Sequence, residues 1–342
     1  MTPPKQLAIL QSVPTALAAL EHAFSERGAC ALDPRVPEAV WWRALAGPAE
    51  NFLARSGKEL RTALVRAGCL LGGARDGGLT DRLALVVELL HAGSLVINDV
   101  EDDSKERRGA PALHHVYGVP LAINTGSWMY FWALAEIANL ELTPACELAI
   151  YRAACTTLVR CHQGQALDLA VKISDLALTD VPNVVAATTR LKTGTLCGFA
   201  TSLGARAVAA PAAIVDATTE FGAAAGTALQ MLDDLGSLTS RSRRDKGRED
   251  LRGERPTWPW AWLAETRPFM WSRLVAQAHA AREDHELDAV ADALAAEVGE
   301  VGRERIRTLL DDTLADLSSH AGSGPALATI GAALSRMEKS YG

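Results

Sequence analysis

Apolar positions recur every third or fourth residue through "ALVVELLHAGSLV", "ATTRLKTGTLCGFATSLGA" and "TEFGAAAGTALQMLDDL", the period of one face of an α-helix. Ala, Leu, Glu and Arg, which lose little freedom in a helix, dominate nearly every segment. The strict apolar and polar alternation of a half-buried strand is hard to find. The pattern predicts an all-α protein. Punctuation falls at "GGARDGG" (72–78), "RGAP" (108–111), "LTPA" (142–145), "LTDVPN" (178–183), "RSRRDKGREDLRGERP" (241–256) and "HAGSGP" (320–325), where Gly, Pro, Ser and Asp favour turns. Apart from the Arg-rich segment each break is short, and no fixed-period repeat or low-complexity linker separates them. One continuous helical domain over 1–342 is expected.

Composition excludes some functions. With 49% hydrophobic residues over 342 positions the chain has enough apolar material for a sizeable core. A formal net charge of -7 gives little attraction for nucleic acid, whose binding rests on neutralising phosphates with Lys and Arg. The six cysteines (Cys30, Cys69, Cys146, Cys155, Cys161, Cys197) are scattered without a CxxC pair and read as reduced thiols of a cytoplasmic protein. "MTPPKQLAIL" lacks a basic start followed by a long apolar run, and "EKSYG" carries no prenylation box, so neither export nor lipid anchoring is expected. The longest stretch free of charged residues, Gly109 to Ala135, is broken by Pro111, Pro120, Asn124, Gly126 and paired histidines. A membrane span needs about 20 mostly apolar residues, so a buried helix after Pro120 is expected and no transmembrane segment.

Two acidic runs interrupt this apolar background. In "INDVEDDSKERRGAP" four acids (Asp99, Glu101, Asp102, Asp103) crowd into five positions. If "ELLHAGSLVINDVEDDSKERR" is helical, Glu88, His91, Leu95, Asn98 or Asp99, and Asp102 share one face. Acids crowded in an apolar cleft repel one another and take up protons unless a cation neutralises them. Magnesium, which prefers hard oxygen ligands and completes its shell with water and phosphate, is the natural candidate. A second pair, Asp233 and Asp234, lies in "ALQMLDDLGSL" with Gln230 one turn before and Ser237 one turn after. Asp311, Asp312 and Asp316 have similar spacing, but their charged surroundings mark them as a solvated face.

The ordered set "GKELR" (57–61), "ELLHAGSLVINDVEDDSKERRGAP" (88–111), "GQALDL" (164–169), "LKTGTL" (191–196), "QMLDDLGSL" (230–238) and "KGREDLRGERPTWP" (246–259) resembles the trans-isoprenyl diphosphate synthases. Within them the chain looks most like fungal-type geranylgeranyl diphosphate synthases, over about residues 50–330. The resemblance implies a bundle of long helices around a deep cavity, with the two Asp-rich motifs facing each other at its mouth. It implies condensation of an allylic diphosphate with isopentenyl diphosphate, three magnesium ions and a homodimer. Asp99, Asp102, Asp233 and Asp234 match metal ligands, while Asn98 and Ser237 occupy ligand positions with altered residues. Arg107, Lys192 and Lys246 match contacts to the allylic diphosphate. Thr193 and Gln230 match neutral dipoles beside the nascent cation. Lys58, Arg61, His91 and Arg108 match the isopentenyl diphosphate pocket.

Glu88, Gln165 and Asp168 read as orienting or metal-facing residues. His114 and His115 lack a partner at metal-ligand spacing and read as structural, and the segment 241–256 resembles the family's mobile flap. The first motif of the family usually reads DDxxD, and here Asn98 stands at its head. An amide oxygen can still reach magnesium but brings no charge, so weaker metal binding is expected. Two alternatives stay open: a class I terpene cyclase or atypical coupling enzyme on the same scaffold, and a weakly active regulatory subunit. Gly93 and Ser94 lie about 6 to 8 Å from the first motif at a rise of about 1.5 Å per residue. Neither is bulky, so a product beyond fifteen carbons is permitted and a twenty-carbon one expected. Trp128, Tyr130, Phe131 and Trp132 are candidates for the floor of the pocket.

Overall fold

The computed structural model describes residues 13–24, 30, 32–55, 60–74, 77–321 and 324–341. Helices account for nearly all regular structure, and the described strands are a two-residue pair, Glu106–Arg107 with Ala110–Pro111. The chain forms two compact units, one of Met1–Thr62 and Asp76–Glu147, the other of Ala63–Arg75 and Leu148–Gly342.

In the first unit the Gly77–Glu101 helix packs along the Val119–Ala138 helix. Their contact is close because both carry glycine at the crossing. A methyl group on Gly93 would stand 2.7 Å from the Gly126 carbonyl oxygen, and one on Gly126 would stand 3.0 Å from that of Gly93. Gly93 therefore meets a neighbouring backbone, and its missing side chain is used by helix packing. Leu83, Val86, Leu89, Leu90, Met129 and Ile137 are fully buried, which reproduces the helical periodicity of the sequence. Pro120 sits in the first turn of its helix, where a missing N–H costs nothing.

Among the described residues Gly77–Glu101 is the helix long and apolar enough to cross a membrane, and 56% of its apolar window is buried inside the structure. Burial of that kind belongs to the core helix of a folded domain. The aromatic run after it divides: Trp132 is buried and stacks on Trp128, which stacks on Phe24. Phe131 is 69% exposed, so it turns away from any pocket floor.

In the second unit the Thr195–Ala207 helix packs on Ala212–Thr239, which also lies along Asp284–Ala321. Gly226 makes the first of these contacts possible: a methyl group there would be 2.9 Å from Cys197 Cβ and 3.0 Å from the Thr193 carbonyl oxygen. The Arg-rich segment, expected to be a break, instead folds in part into the Arg244–Arg252 helix. Its arginines at every fourth position grip one face of Asp284–Ala321. Arg244 Nη2 lies 2.6 Å from Asp292, Arg248 Nη2 2.7 Å from Asp288 and Arg252 Nη2 2.8 Å from Asp284. Asp311, Asp312 and Asp316 are exposed.

Candidate active site

The first acidic run closes the Gly77–Glu101 helix with a Schellman-type cap. The Ser104 N–H donates to the Asp99 carbonyl at 3.0 Å and the Asp103 N–H to that of Val100 at 3.4 Å, with Asp103 at φ 48°. A tight hairpin follows, in which Arg108 and Gly109 both take positive φ, 53° and 74°, as a two-residue turn of the primed kind requires. This hairpin folds both arginines back onto the helix they follow.

Arg107 donates to Asp99 Oδ1 from Nε at 2.7 Å and from Nη2 at 2.5 Å. Arg108 donates to Glu88 Oε1 at 3.0 Å. Asp99 is wholly buried, and its second oxygen, Oδ2, has no hydrogen-bond partner among the described residues. Burial pushes its carboxyl above the ordinary carboxylate value, a rise that the Arg107 ion pair only partly offsets. An unpartnered buried carboxylate oxygen is costly, and a divalent cation is the ligand that such an atom suits.

His91 lies one turn behind Glu88. Its imidazole is held well below the ordinary histidine value, first by burial and then by the positive charges of Arg61, Arg108 and Arg107. It is thus neutral near pH 7, in a region whose surplus charge is positive, which suits an anion. Arg55, absent from the sequence reading, braces this region: its Nη1 donates to the Arg107 carbonyl at 3.1 Å, and Arg108 Nη1 donates to the Arg55 carbonyl at 3.3 Å. Both guanidinium groups lie over the Phe52 ring, at 5.5 and 5.4 Å. No motif signal marks Arg55, because its role depends on a hairpin distant in sequence. Asn98 and Asp102 are half-buried, and the Asp102 N–H bonds the Asn98 carbonyl at 2.8 Å. Ser94 turns its hydroxyl onto the His91 carbonyl at 2.8 Å. Lys58 lies outside the described residues.

In the second unit Lys192 and Thr193 occupy a π-helical turn, Arg190–Gly194, a local distortion frequent at functional sites. Lys192 Nζ is 2.6 Å from Asp168 Oδ2. Thr193 Oγ1 donates to Gln230 Oε1 at 3.1 Å, and Gln230 Nε2 donates to Asp234 Oδ1 at 2.7 Å. The Trp258 backbone N–H completes the chain at 3.0 Å from Asp234 Oδ2. Asp234 is pushed up to about 7, mainly by burial, against the pull of Lys246 and these hydrogen bonds.

Asp233 behaves in the opposite way. Burial alone would raise it, but Lys246 and Arg243, each bonded to one of its oxygens, hold it below the ordinary value. Lys246 is raised in turn by Asp250, Asp233 and Asp234, which together outweigh its own burial. Any metal at Asp233 therefore competes with two fixed cations. Arg243, Asp250 and Trp258 are partners that sequence reasoning missed. Arg243 and Asp250 lie in the stretch read as a flap, where a mixed-charge composition hides individual pairs, and Trp258 acts through its backbone N–H, which no side-chain pattern marks. Ser237 is buried and donates its hydroxyl to the Asp234 carbonyl at 2.7 Å. Gln165 is buried on the Pro144–Ala170 helix.

Buried carboxylates fastened by arginine and lysine within apolar helices form the kind of site that an anion bound together with a divalent metal requires. The family model of the polyprenyl synthetases matches residues 43–295, and the chain belongs to that family. It is 40% identical over 133 residues to geranylgeranyl pyrophosphate synthase 2 of Zymoseptoria tritici, a match covering 37% of this chain and 36% of that protein. It is 36% identical over 124 residues to the geranylgeranyl pyrophosphate synthase of Mucor circinelloides f. lusitanicus, covering 36% of this chain and 38% of the other. The matched stretches thus span little more than a third of either relative. In fold it is similar to the geranylgeranyl pyrophosphate synthase of Corynebacterium glutamicum complexed with isoprenyl diphosphate and magnesium, at TM-score 0.78 and 19% identity over 96% of both chains. It is equally similar to the heptaprenyl diphosphate synthase of Staphylococcus aureus, at TM-score 0.78 and 19% identity over 98% of this chain and 100% of the other. These neighbours share the all-α architecture.

Proposed function

We propose that the protein is a prenyltransferase that joins an allylic diphosphate to isopentenyl diphosphate, with geranylgeranyl diphosphate as its product. The observation that carries this reading is Asp99: a wholly buried carboxylate, fixed by Arg107 on one oxygen and unpartnered on the other. The names of the relatives agree with it. The reading treats 1–342 as one domain, because the family match runs across both units.

In the reaction the allylic carbon–oxygen bond breaks, its electron pair leaves with the diphosphate, and the allylic carbon bonds to the alkene of isopentenyl diphosphate. Loss of a proton to the released diphosphate restores a double bond. Magnesium, as three ions bound with substrate, would supply positive charge to the departing diphosphate; Asp99, Asp102 and Asn98 would hold it at one motif, Asp233, Asp234 and Ser237 at the other. Arg107, Lys192 and Lys246 bind and orient the allylic diphosphate. Arg61, His91 and Arg108 take isopentenyl diphosphate, with Lys58 as a fourth donor. Thr193 and Gln230, ordered by Asp234 and Trp258, present neutral dipoles that stabilise a cation without capturing it.

The test is incubation with magnesium and farnesyl diphosphate, with and without isopentenyl diphosphate, followed by mass analysis. A twenty-carbon diphosphate formed only with isopentenyl diphosphate supports elongation, whereas hydrocarbon release without it would favour a cyclase. Asn98→Asp restores a carboxylate at the head of the first motif and is expected to raise turnover several-fold at limiting magnesium, read as a lower magnesium midpoint. Ser94→Phe is expected to shorten the product toward fifteen carbons, read by chain-length analysis.

All six cysteines are thiols outside any disulfide, which fits a reducing compartment such as the cytoplasm. The Pro144–Ala170 helix exposes Leu148, Cys155, Val159 and Ala166 on one face, which supports assembly as a homodimer. Light scattering would measure it.

A further inference from the structure

His114 and His115 take no part in the reaction proposed above, and along the sequence they have no third metal-binding neighbour. The fold supplies one. Asp103, carried past the end of the acidic helix by the capping turn, comes to 3.8 Å from His114 Nε2 through its Oδ1. The His114 and His115 rings lie 4.1 Å apart between centroids, and one ligand atom from each of the three residues falls within 4.8 Å of the others.

Two further facts give this cluster the character of a site. The side chain of His114 is only 5% exposed, and neither of its ring nitrogens has a hydrogen-bond partner among the described residues. Leaving a buried donor or acceptor unsatisfied is destabilising, and coordination of Nε2 removes part of that cost. Lys105 meanwhile holds Asp103 Oδ2 at 2.8 Å, which leaves Oδ1 directed at the histidine. Asp103 also keeps a left-handed backbone, φ 48°, where glycine would be easier.

We propose that Asp103, His114 and His115 bind one divalent transition metal, of which zinc is the best match. Two imidazoles and one carboxylate select a borderline ion over magnesium, which takes oxygen ligands. A tetrahedral zinc site with bonds of about 2.0–2.2 Å needs its ligand atoms about 3.3–3.6 Å apart. Asp103 and His115 are exposed and can rotate through the remaining distance. The bound ion would tie the turn after the first acidic motif to the Leu113–Tyr117 helix.

The experiment titrates the full chain with zinc against a chromophoric chelator near neutral pH, in excess magnesium so that oxygen-only sites are filled. One zinc per chain is expected, with affinity lowered at least about tenfold in His115→Ala and in Asp103→Gly, since even losing a supporting residue costs about 10–100-fold. Asp103→Gly suits the local backbone, so its circular dichroism should match the parent. Zinc should also raise the thermal midpoint of the parent, and raise that of both variants less at the same zinc concentration. The proposal is overturned if the parent binds no zinc, if either variant binds it as the parent does, or if cobalt in its place shows the intense near-ultraviolet band of thiolate ligation.

Discussion

Asp99→Asn is expected to lower the condensation proposed above, assayed with farnesyl and isopentenyl diphosphates, by at least about 10²–10³-fold, the scale seen when one preorganised electrostatic group is removed from a reacting site. The change keeps the size of the side chain and removes its charge. Arg107 then loses the anion that pins it from two nitrogens, and the oxygen free for a cation becomes part of a neutral amide. Far-ultraviolet circular dichroism should stay at parent level, because Asp99 lies in a helix whose apolar residues carry the packing. Turnover within a few-fold of the parent would remove the first motif from the chemistry. A loss confined to high magnesium demand, recovered by raising the ion, would place Asp99 in metal binding alone.

Gly226→Val is expected to lower stability markedly without touching the acidic motifs. A first carbon at this position already stands 2.9 Å from Cys197 Cβ and 3.0 Å from the Thr193 carbonyl, so two further methyl groups force the helices apart. Overpacking of this kind costs about 1–3 kcal/mol, occasionally more, and a lowered urea midpoint with unchanged slope would record it. The same displacement moves Thr193 away from Gln230, which it meets at 3.1 Å. Activity should therefore fall even at temperatures where the variant remains folded. A variant as stable and as active as the parent would show that the spacing of these helices does not govern the Thr193–Gln230 pair.

Much of the helical architecture can be read from residue order alone. Leu83, Val86, Leu89 and Leu90 recur at helical spacing and are buried, and Pro120 opens its helix as its fixed φ and missing N–H predict. The Arg-rich segment is where local reasoning fails. Arg244, Arg248 and Arg252 read as a solvated break because their partners, Asp292, Asp288 and Asp284, lie on another helix. Gly93 shows the same limit: a small residue before an acidic motif suggests open space, yet the space is filled by the backbone at Gly126.

By itself the sequence determined that the protein is helical, that acidic runs interrupt apolar helices at Asp99 and Asp233, and that basic residues accompany them. These are properties of spacing and composition, and they survive without coordinates because helix period and side-chain chemistry are local. Tertiary structure alone decided which charges meet. It paired Arg107 with Asp99 through a hairpin, set Arg243 and Lys246 on Asp233, and pushed Asp234 up to about 7 by burial. It also carried Asp103 to His114 and His115 across ten residues of intervening chain. Electrostatic coupling and desolvation depend on distances in space and on exclusion of water, and neither is encoded in the separation of two residues along a chain.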